Sequence, residues 1–244
     1  MPRCSELVAP GHRTTAGRPC GAPSAAHACR WGALLSRVRA ELPEEAPLID
    51  LKPACREMIG LLAGVEASRL ADATPCSEYT VADLIAHIDD AAQGFAVFAG
   101  AGGPANGSGE GATGEDVPDV VGDRPDVARH VRVLGEAWDA PTAWHGSTDA
   151  GGGVELPNEV WGKIALTEVV VHGWDLAQAT GQRFEMPEDA LRACLDHVSE
   201  FVPRAPLPEL WGTAVDVPAD APLIDRIVAI TGRTPRPPRT PPAG

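Results

Sequence analysis

The chain has 244 residues, 44% of them hydrophobic, a formal net charge of −14 and an isoelectric point near 4.8. This length suits one domain of moderate size, or a domain with a small appendage. The acidic balance argues against nucleic acid or an anionic membrane as the main partner, because both need a basic protein face. Many soluble cytosolic proteins are this acidic, so the charge says little else. Independently of the charge, we expect a cytoplasmic protein with a small-molecule substrate, as a monomer or a homodimer.

The cysteines indicate a reducing compartment. None of the six forms a CxxC pair, and a chain with a core of its own has little need of a disulfide scaffold. We expect reduced thiols at all six positions, which are Cys4, Cys20, Cys29, Cys55, Cys76 and Cys194.

The first part of the chain differs in composition from the rest. Residues 1–40 contain six arginines and a single acid, Glu6. No apolar centre of a secretory signal follows the early arginines, although an organellar transit peptide fits loosely. We expect residues 1–47 to be a disordered or mis-started extension outside the fold.

Regular patterns begin at Leu48. Apolar residues recur at helical spacing from Leu51 to Val65, which predicts a first helix. A second is predicted over 81–99, where Thr80 and Asp83 resemble a capping box. Residues 100–124 are rich in glycine and lack the GK[ST] ending of a phosphate-binding loop, so they are predicted to be a flexible linker.

The next helices are separated by a short irregular stretch. A third helix is predicted over 125–140, and residues 141–158 are expected to form a loop or short hairpin. The fourth helix is predicted over 159–180, with Gly181 as its left-handed C-terminal residue. It is apolar nearly all round, so we expect it to be the most buried helix.

Shorter helices complete the predicted fold. Pro187 opens a fifth, while a sixth has Asp220 as its candidate cap and Gly232 as its stop. Residues 236–244 are proline-rich and are predicted to be a disordered tail. The pattern contains no βαβ alternation, and four long helices followed by shorter ones indicate an all-α bundle.

The fourth helix carries polar residues along one side. Glu168 and His172 lie four residues apart and differ by about 40° in direction and about 6 Å in height. Asp175 lies seven past Glu168, only about 20° off that line. A buried carboxylate is costly unless something compensates it, and a metal ion is one such partner.

The second helix offers a matching ligand. His87 lies among apolar neighbours in DLIAHIDD, with Asp83 and Asp90 on its face. His87, Glu168 and His172 with an open fourth position would suit zinc or a similar divalent ion. The alternatives are a satisfied core histidine at position 87 and a half-exposed side-chain pair at 168 and 172.

The remaining candidates have weaker support. His145 follows Trp144 in a loop and could reach the mouth of a site. Trp161 and Trp174 could line a pocket, but core packing is the favoured interpretation. Four histidines are predicted to lie outside any site, two in the irregular start and two solvated on amphipathic helices: His12, His27, His130 and His197.

Three segments show a family resemblance. TPCSEYTVADLIAHI, VVVHGWDLAQATGQ and VPADAPLIDRIVAITGRTP resemble the actinobacterial maleylpyruvate-isomerase-like, DinB-like metal-binding proteins over roughly residues 48–235. The resemblance implies a DinB-like four-helix bundle with short additional C-terminal helices. It implies a metal-binding bundle over 48–182, a C-terminal helical extension over 183–235, and a divalent metal held by His87, Glu168 and His172.

The resemblance also implies a chemistry. Known enzymes of this group use mycothiol to isomerise or conjugate small electrophiles. The hypothesis is therefore a metal-dependent thiol transferase or isomerase, in which the open metal position favours the thiolate. Asp83 and Asp175 are candidates to orient the ligands, or else a helix-start residue and a polar anchor. A metal-dependent hydrolase and a non-catalytic metal-binding module remain as alternatives.

Overall fold

The computed structural model describes residues 48–77, 79–100, 124–150, 155–204 and 211–235. This part is mainly helical, which confirms the predicted all-α class. It also contains two short 3₁₀ helices and one strand pair. The α-helices are α1 (Lys52–Ala63), α2 (Val81–Phe98), α3 (Arg124–Ala137), α4 (Asn158–Thr180), α5 (Glu188–Arg204) and α6 (Leu223–Ile230).

The first four helices pack into a bundle around one core. α2 contacts both α3 and α4, and α1 contacts the same two helices. α4 has apolar residues on every side, and 17 of its 23 residues are buried. A helix that is hydrophobic all round belongs inside a protein, so α4 lies at the centre, as predicted. Any polar side chain on α4 must therefore find its partners inside the protein.

The predicted helix ends are partly right. Thr80 and Asp83 form the predicted capping box at the start of α2. Gly181 ends α4 with a φ of 73°, in the left-handed region that glycine adopts without strain. The predicted cap of α6 is wrong, because the helix begins after Pro222 with no side-chain cap and Asp220 lies outside it.

The predicted hairpin between the third and fourth helices is present. It follows a 3₁₀ helix, Pro141–Trp144, and consists of β1 (Ser147–Asp149) and β2 (Glu155–Pro157), paired antiparallel. The Trp161 indole nitrogen donates to the carbonyl of Thr148 at 3.0 Å. The hairpin is thereby attached to the first turn of α4.

The C-terminal helices pack on one side of the bundle. α5 contacts both α4 and α6. The described residues of 183–235 contain no strand. The division at residues 182 and 183 stays a prediction. The predictions for residues 1–47 and 236–244, and for nearly all of the Gly-rich linker, lie outside the described residues.

Two thiols are buried in the helices. Cys55 on α1 and Cys194 on α5 are free, and burial raises the pKa of each to about 12. Cys76 takes part in a disulfide bond, so the expectation of reduced thiols is wrong there. In the described ranges, no helix is long and apolar enough to cross a membrane.

Candidate metal centre

Residues from α2 and α4 meet inside the bundle. His87 and Glu168 are separated by 81 positions in the chain, yet their side chains are in contact. His172 joins them from one turn further along α4. One potential ligand atom from each of His87, Glu168 and His172 lies within 4.8 Å of the other two. We call these three residues the His–Glu–His cluster.

The spacing within the cluster suits a tetrahedral ion. The Nε2 atoms of His87 and His172 each lie 3.1 Å from Oε2 of Glu168. The two imidazole rings stand 4.7 Å apart and nearly perpendicular. Ligands of a tetrahedral zinc ion at bond lengths of about 2.0–2.1 Å lie roughly 3.3 Å from one another. The two histidine–glutamate distances are close to this value, and all three ligand atoms lie within 4.8 Å of one another, so an ion could be bound once the two histidine rings moved to a matching separation.

The Nδ1 atoms of His87 and His172, which point away from Glu168, also face polar groups. Nδ1 of His172 lies 3.0 Å from Oδ2 of Asp175. Nδ1 of His87 lies 3.5 Å from the hydroxyl of Tyr79. A histidine that binds a metal usually donates its second ring N–H to such a group, which fixes the tautomer and the ring. Both rings thus present Nε2 to the cluster.

Asp175 is anchored by an arginine that the sequence analysis did not find. Nη2 of Arg233 donates to Oδ2 of Asp175 at 2.8 Å, and Nε donates to Oδ1 at 3.1 Å. Asp175 is fully buried and Arg233 is 4% exposed. No periodicity connects residues 58 positions apart. The only signal was that Arg233 falls in a segment that resembles the family.

Burial and neighbouring charges shift the pKa values of the cluster residues in opposite directions. Burial alone would raise the pKa of Glu168, but His172 and His87 outweigh it and hold that pKa below its usual range. Burial alone would lower the pKa of His172, but Glu168 and Asp175 raise it to about 9. Without an ion, the carboxylate is therefore balanced by a proton on His172. A dication could replace that proton.

One side of the cluster is in contact with an apolar cavity. The empty space, open solvent included, is about 270 Å³. Among the described residues that line this cavity, Glu168 and His172 are the ionisable ones. The other lining residues come from all four helices of the bundle and are Met58, Ile88, Ala91, Ala92, Phe95, Val131, Leu134 and Val169.

Three other candidates from the sequence make their contacts with groups outside the cluster or with solvent. Both hydrogen-bonding contacts of the Asp83 carboxylate are with Thr80, its capping partner. The geometry therefore favours the helix-start role for Asp83, whereas Asp175 contacts His172. His145 is exposed beside the hairpin, and Trp161 packs against Phe95 and Phe98 in the core.

The solvated positions predicted for two histidines are wrong. His130 is half-buried, with Nδ1 2.5 Å from Oδ1 of Asp89 on α2. His197 is buried and stacks on Phe201, with ring centroids 4.9 Å apart. Burial and the nearby Lys163 lower the pKa of His197 to about 3. The prediction of solvated rings was based on charged residues that are adjacent in the sequence. It failed because both rings face packed helices.

Comparison with known proteins agrees with this geometry. Residues 51–177 match the model of the mycothiol maleylpyruvate isomerase N-terminal domain family. Two uncharacterised proteins of Mycobacterium tuberculosis, from strains CDC 1551 and H37Rv, are each 31% identical over 197 residues, or 78% of this chain and 99% of theirs. No solved structure matches the chain at a significant level. The chain therefore belongs to the mycothiol maleylpyruvate isomerase N-terminal domain family.

Proposed function

We propose that the protein is a divalent-metal-dependent S-transferase or isomerase that uses a thiol of the mycothiol type on a small electrophile. The observation that supports this most directly is the convergence of His87, Glu168 and His172 inside an otherwise apolar bundle. Membership of a mycothiol-related family supports the choice of thiol. We further propose, on the grounds of the acidic charge, that the protein has no role in binding nucleic acid or membranes. A cytoplasmic location is proposed on the family match alone, because the disulfide of Cys76 removes the argument from reduced thiols.

The donor set favours zinc. Two imidazole nitrogens and one carboxylate oxygen are ligands that zinc accepts, and three protein ligands leave a fourth position for a substrate. His87, Glu168 and His172 would hold the ion. Their own hydrogen bonds to Tyr79 and Asp175 would keep the ligand atoms in place.

Each part of the site then has a task. A bound divalent ion supplies a positive charge that lowers the pKa of a nearby thiol, so that the nucleophilic thiolate forms at neutral pH. Glu168 keeps 16% of its side chain exposed, more than either histidine, so solvent and reactants approach from its side. The side chains packed against this side of the cluster are apolar and would limit the access of water to a thiolate beside the ion.

Metal analysis of the purified protein tests the site. Wild-type protein should contain about one zinc ion per chain, and His87→Ala and His172→Ala should each lose it. His130→Ala is the control, because His130 pairs with Asp89 outside the cluster. Equal and negligible metal in wild type and in both cluster variants would contradict the proposal.

Thiol dependence then separates the reaction classes. The zinc-loaded protein should consume a small electrophile only when a mycothiol-type thiol is present. An S-transferase would leave an adduct with a new sulfur–carbon bond, whereas an isomerase would give a product of unchanged mass and regenerate the thiol, and chromatography with mass spectrometry distinguishes the two. Turnover of an ester or amide without thiol would indicate a hydrolase. A protein stabilised by zinc that neither binds thiol in calorimetry nor turns over electrophile would be a binding module.

A further inference from the structure

We propose that Arg233 is a positioning residue of the metal centre, so that metal binding and docking of residues 211–235 favour each other. We call residues 211–235 the C-terminal segment. This inference rests on the metal site proposed above and adds a regulatory connection to it. The segment lies outside the bundle and supplies no member of the His–Glu–His cluster.

A continuous series of hydrogen bonds joins Arg233 to the cluster. Arg233 contacts both oxygens of Asp175, at 2.8 and 3.1 Å. Asp175 holds Nδ1 of His172 at 3.0 Å, and Nε2 of His172 lies 3.1 Å from Glu168. Asp175 and Arg233 are both almost completely enclosed. Water therefore has little access to replace either partner.

The arginine determines where the carboxylate points. A guanidinium binds a carboxylate as a planar fork, which fixes both of its oxygens at once. Oδ2 of Asp175 accepts from Arg233 and faces His172 at the same time. Without Arg233 the buried carboxylate would lose its cation and turn or draw in water. The imidazole of His172 would then lose its fixed acceptor.

The fold of the segment in turn determines where the arginine lies. Gly232 has a φ of 85°, and a Cβ there would meet the Cα of Gly212 at 2.2 Å, so the chain turns tightly just before Arg233. The backbone N–H of Arg233 donates to Val228 at 2.8 Å, and Nη1 donates to the carbonyl of Thr231 at 3.2 Å. Arg233 is thus a rigid part of the docked segment.

Metal binding and docking of the C-terminal segment must strengthen each other by the same factor if they are linked through this hydrogen-bond network. If docking of the segment strengthens metal binding by some factor, metal binding strengthens docking by that same factor. Changing a residue that orients a metal-bound histidine typically weakens metal affinity by about 10–100-fold. We expect Arg233 variants to lie in this range, although Arg233 never contacts the ion.

The first test asks whether Arg233 strengthens metal binding, and it measures zinc affinity by competition with a chromophoric chelator. Arg233→Met should weaken zinc binding about 10–100-fold, and Arg233→Lys, which keeps the charge but not the fork, should fall between it and wild type. Arg226→Met on α6 is the matched control and should bind as wild type does. A folded Arg233→Met with wild-type affinity would overturn the inference, whereas wild-type protein without zinc affinity would overturn the proposed function instead.

Hydrogen exchange tests whether metal binding favours docking of the C-terminal segment, first in the wild-type protein and then in Arg233→Met. Zinc should slow amide exchange in residues 223–233 of the wild-type protein as well as around the cluster in α2 and α4. In Arg233→Met, zinc should slow exchange around the cluster only. If zinc protects α2 and α4 in wild type but leaves the C-terminal segment unchanged, the two are not linked and the inference fails, while the metal site stands.

Discussion

Two aspartates near the cluster histidines have different tasks. Asp83 precedes His87 by four positions and Asp175 follows His172 by three, so both are one helical turn from a histidine. Asp83 lies in the first turn of its helix, where Thr80 and free backbone N–H groups compete for its carboxylate. Asp175 lies in the middle of a buried helix, where only side chains can satisfy it.

We therefore expect a change at Asp83 to affect the stability of the protein and not its zinc affinity. Asp83→Ala should lower the free energy of unfolding by about 1 kcal/mol, the usual value of a helix cap. Its zinc affinity should remain within about twofold of wild type, because Asp83 does not contact the ligands. Urea unfolding and chelator competition measure the two quantities. A tenfold loss of affinity would show instead that Asp83 orients His87.

His197 should make the protein less stable in mild acid. Its folded pKa is about 3, whereas an unfolded histidine titrates near 6.5, so only the unfolded chain takes up the proton between these values. Stability therefore falls as pH falls through this window, and lowering the pH from 7 to 5 should cost about 2 kcal/mol from this residue.

Urea unfolding of metal-free protein at pH 7 and pH 5 measures this cost. His197→Gln cannot take up the proton, so its stability should fall by about 2 kcal/mol less than that of wild type over the same interval. The comparison of the two proteins cancels the contribution of other titrating groups. Equal losses would mean that His197 takes up a proton as readily in the folded protein as in the unfolded chain.

Local spacing explains how much of the candidate site could be predicted. Glu168 and His172 share a helix face, so their proximity follows from helix geometry alone. The approach of His87 depends on how α2 packs on α4. Its apolar setting on a second helix suggested that it could be a ligand, and the family resemblance implied the full set of three. Arg233 reaches Asp175 through the docking of a separate segment, which no local pattern encodes. The sequence also missed the burial of His197, because the elements that cover it are distant in the chain.

At the scale of elements, α4 is held closely against two indole rings. A Cβ on Gly162 would meet ring carbons of Trp144 and Trp138 at 2.7 and 2.8 Å. Both indoles are tethered, since each donates its N–H to a backbone carbonyl, that of Phe95 for Trp138 and that of Trp138 for Trp144. The rings therefore have little freedom to move away.

Two glycine-to-alanine changes should have opposite effects. Gly162→Ala should destabilise the protein by about 1–3 kcal/mol through overpacking. Gly60→Ala, at an exposed position of α1 with nothing near its Cβ, should stabilise it by about 0.5–1 kcal/mol through helix propensity. Thermal or urea unfolding of both variants measures the difference. A stabilising Gly162→Ala would show that the indoles can yield.

The helices were predictable because their apolar spacing and end residues agree. Two helix ends are determined by local residues, namely the start of α2 by Thr80 with Asp83 and the end of α4 by the left-handed Gly181. The start of α6 was missed because Pro222 can begin a helix without a side-chain cap, and aspartate at position 220 only resembled one.

At the scale of the whole molecule, a bound ion would join α2 to α4 and, through Arg233, to the C-terminal segment. Ligands that bind only the folded state raise its stability by mass action. Zinc at 100 times its dissociation constant should add about 2.7 kcal/mol, which raises the melting temperature by roughly 5–10 °C for a chain of this size. His172→Ala should show no such rise. A melting temperature that zinc leaves unchanged in wild type would contradict a folded-state site.

The two buried thiols place one chemical reporter in each part of the molecule. Cys55 belongs to the bundle and Cys194 to α5, and each is shielded from alkylation while its surroundings stay closed. Iodoacetamide labelling followed by peptide mass spectrometry would therefore time the opening of each part separately. Simultaneous labelling would identify a single cooperative unit, and earlier labelling of Cys194 would reveal that the outer helices detach first.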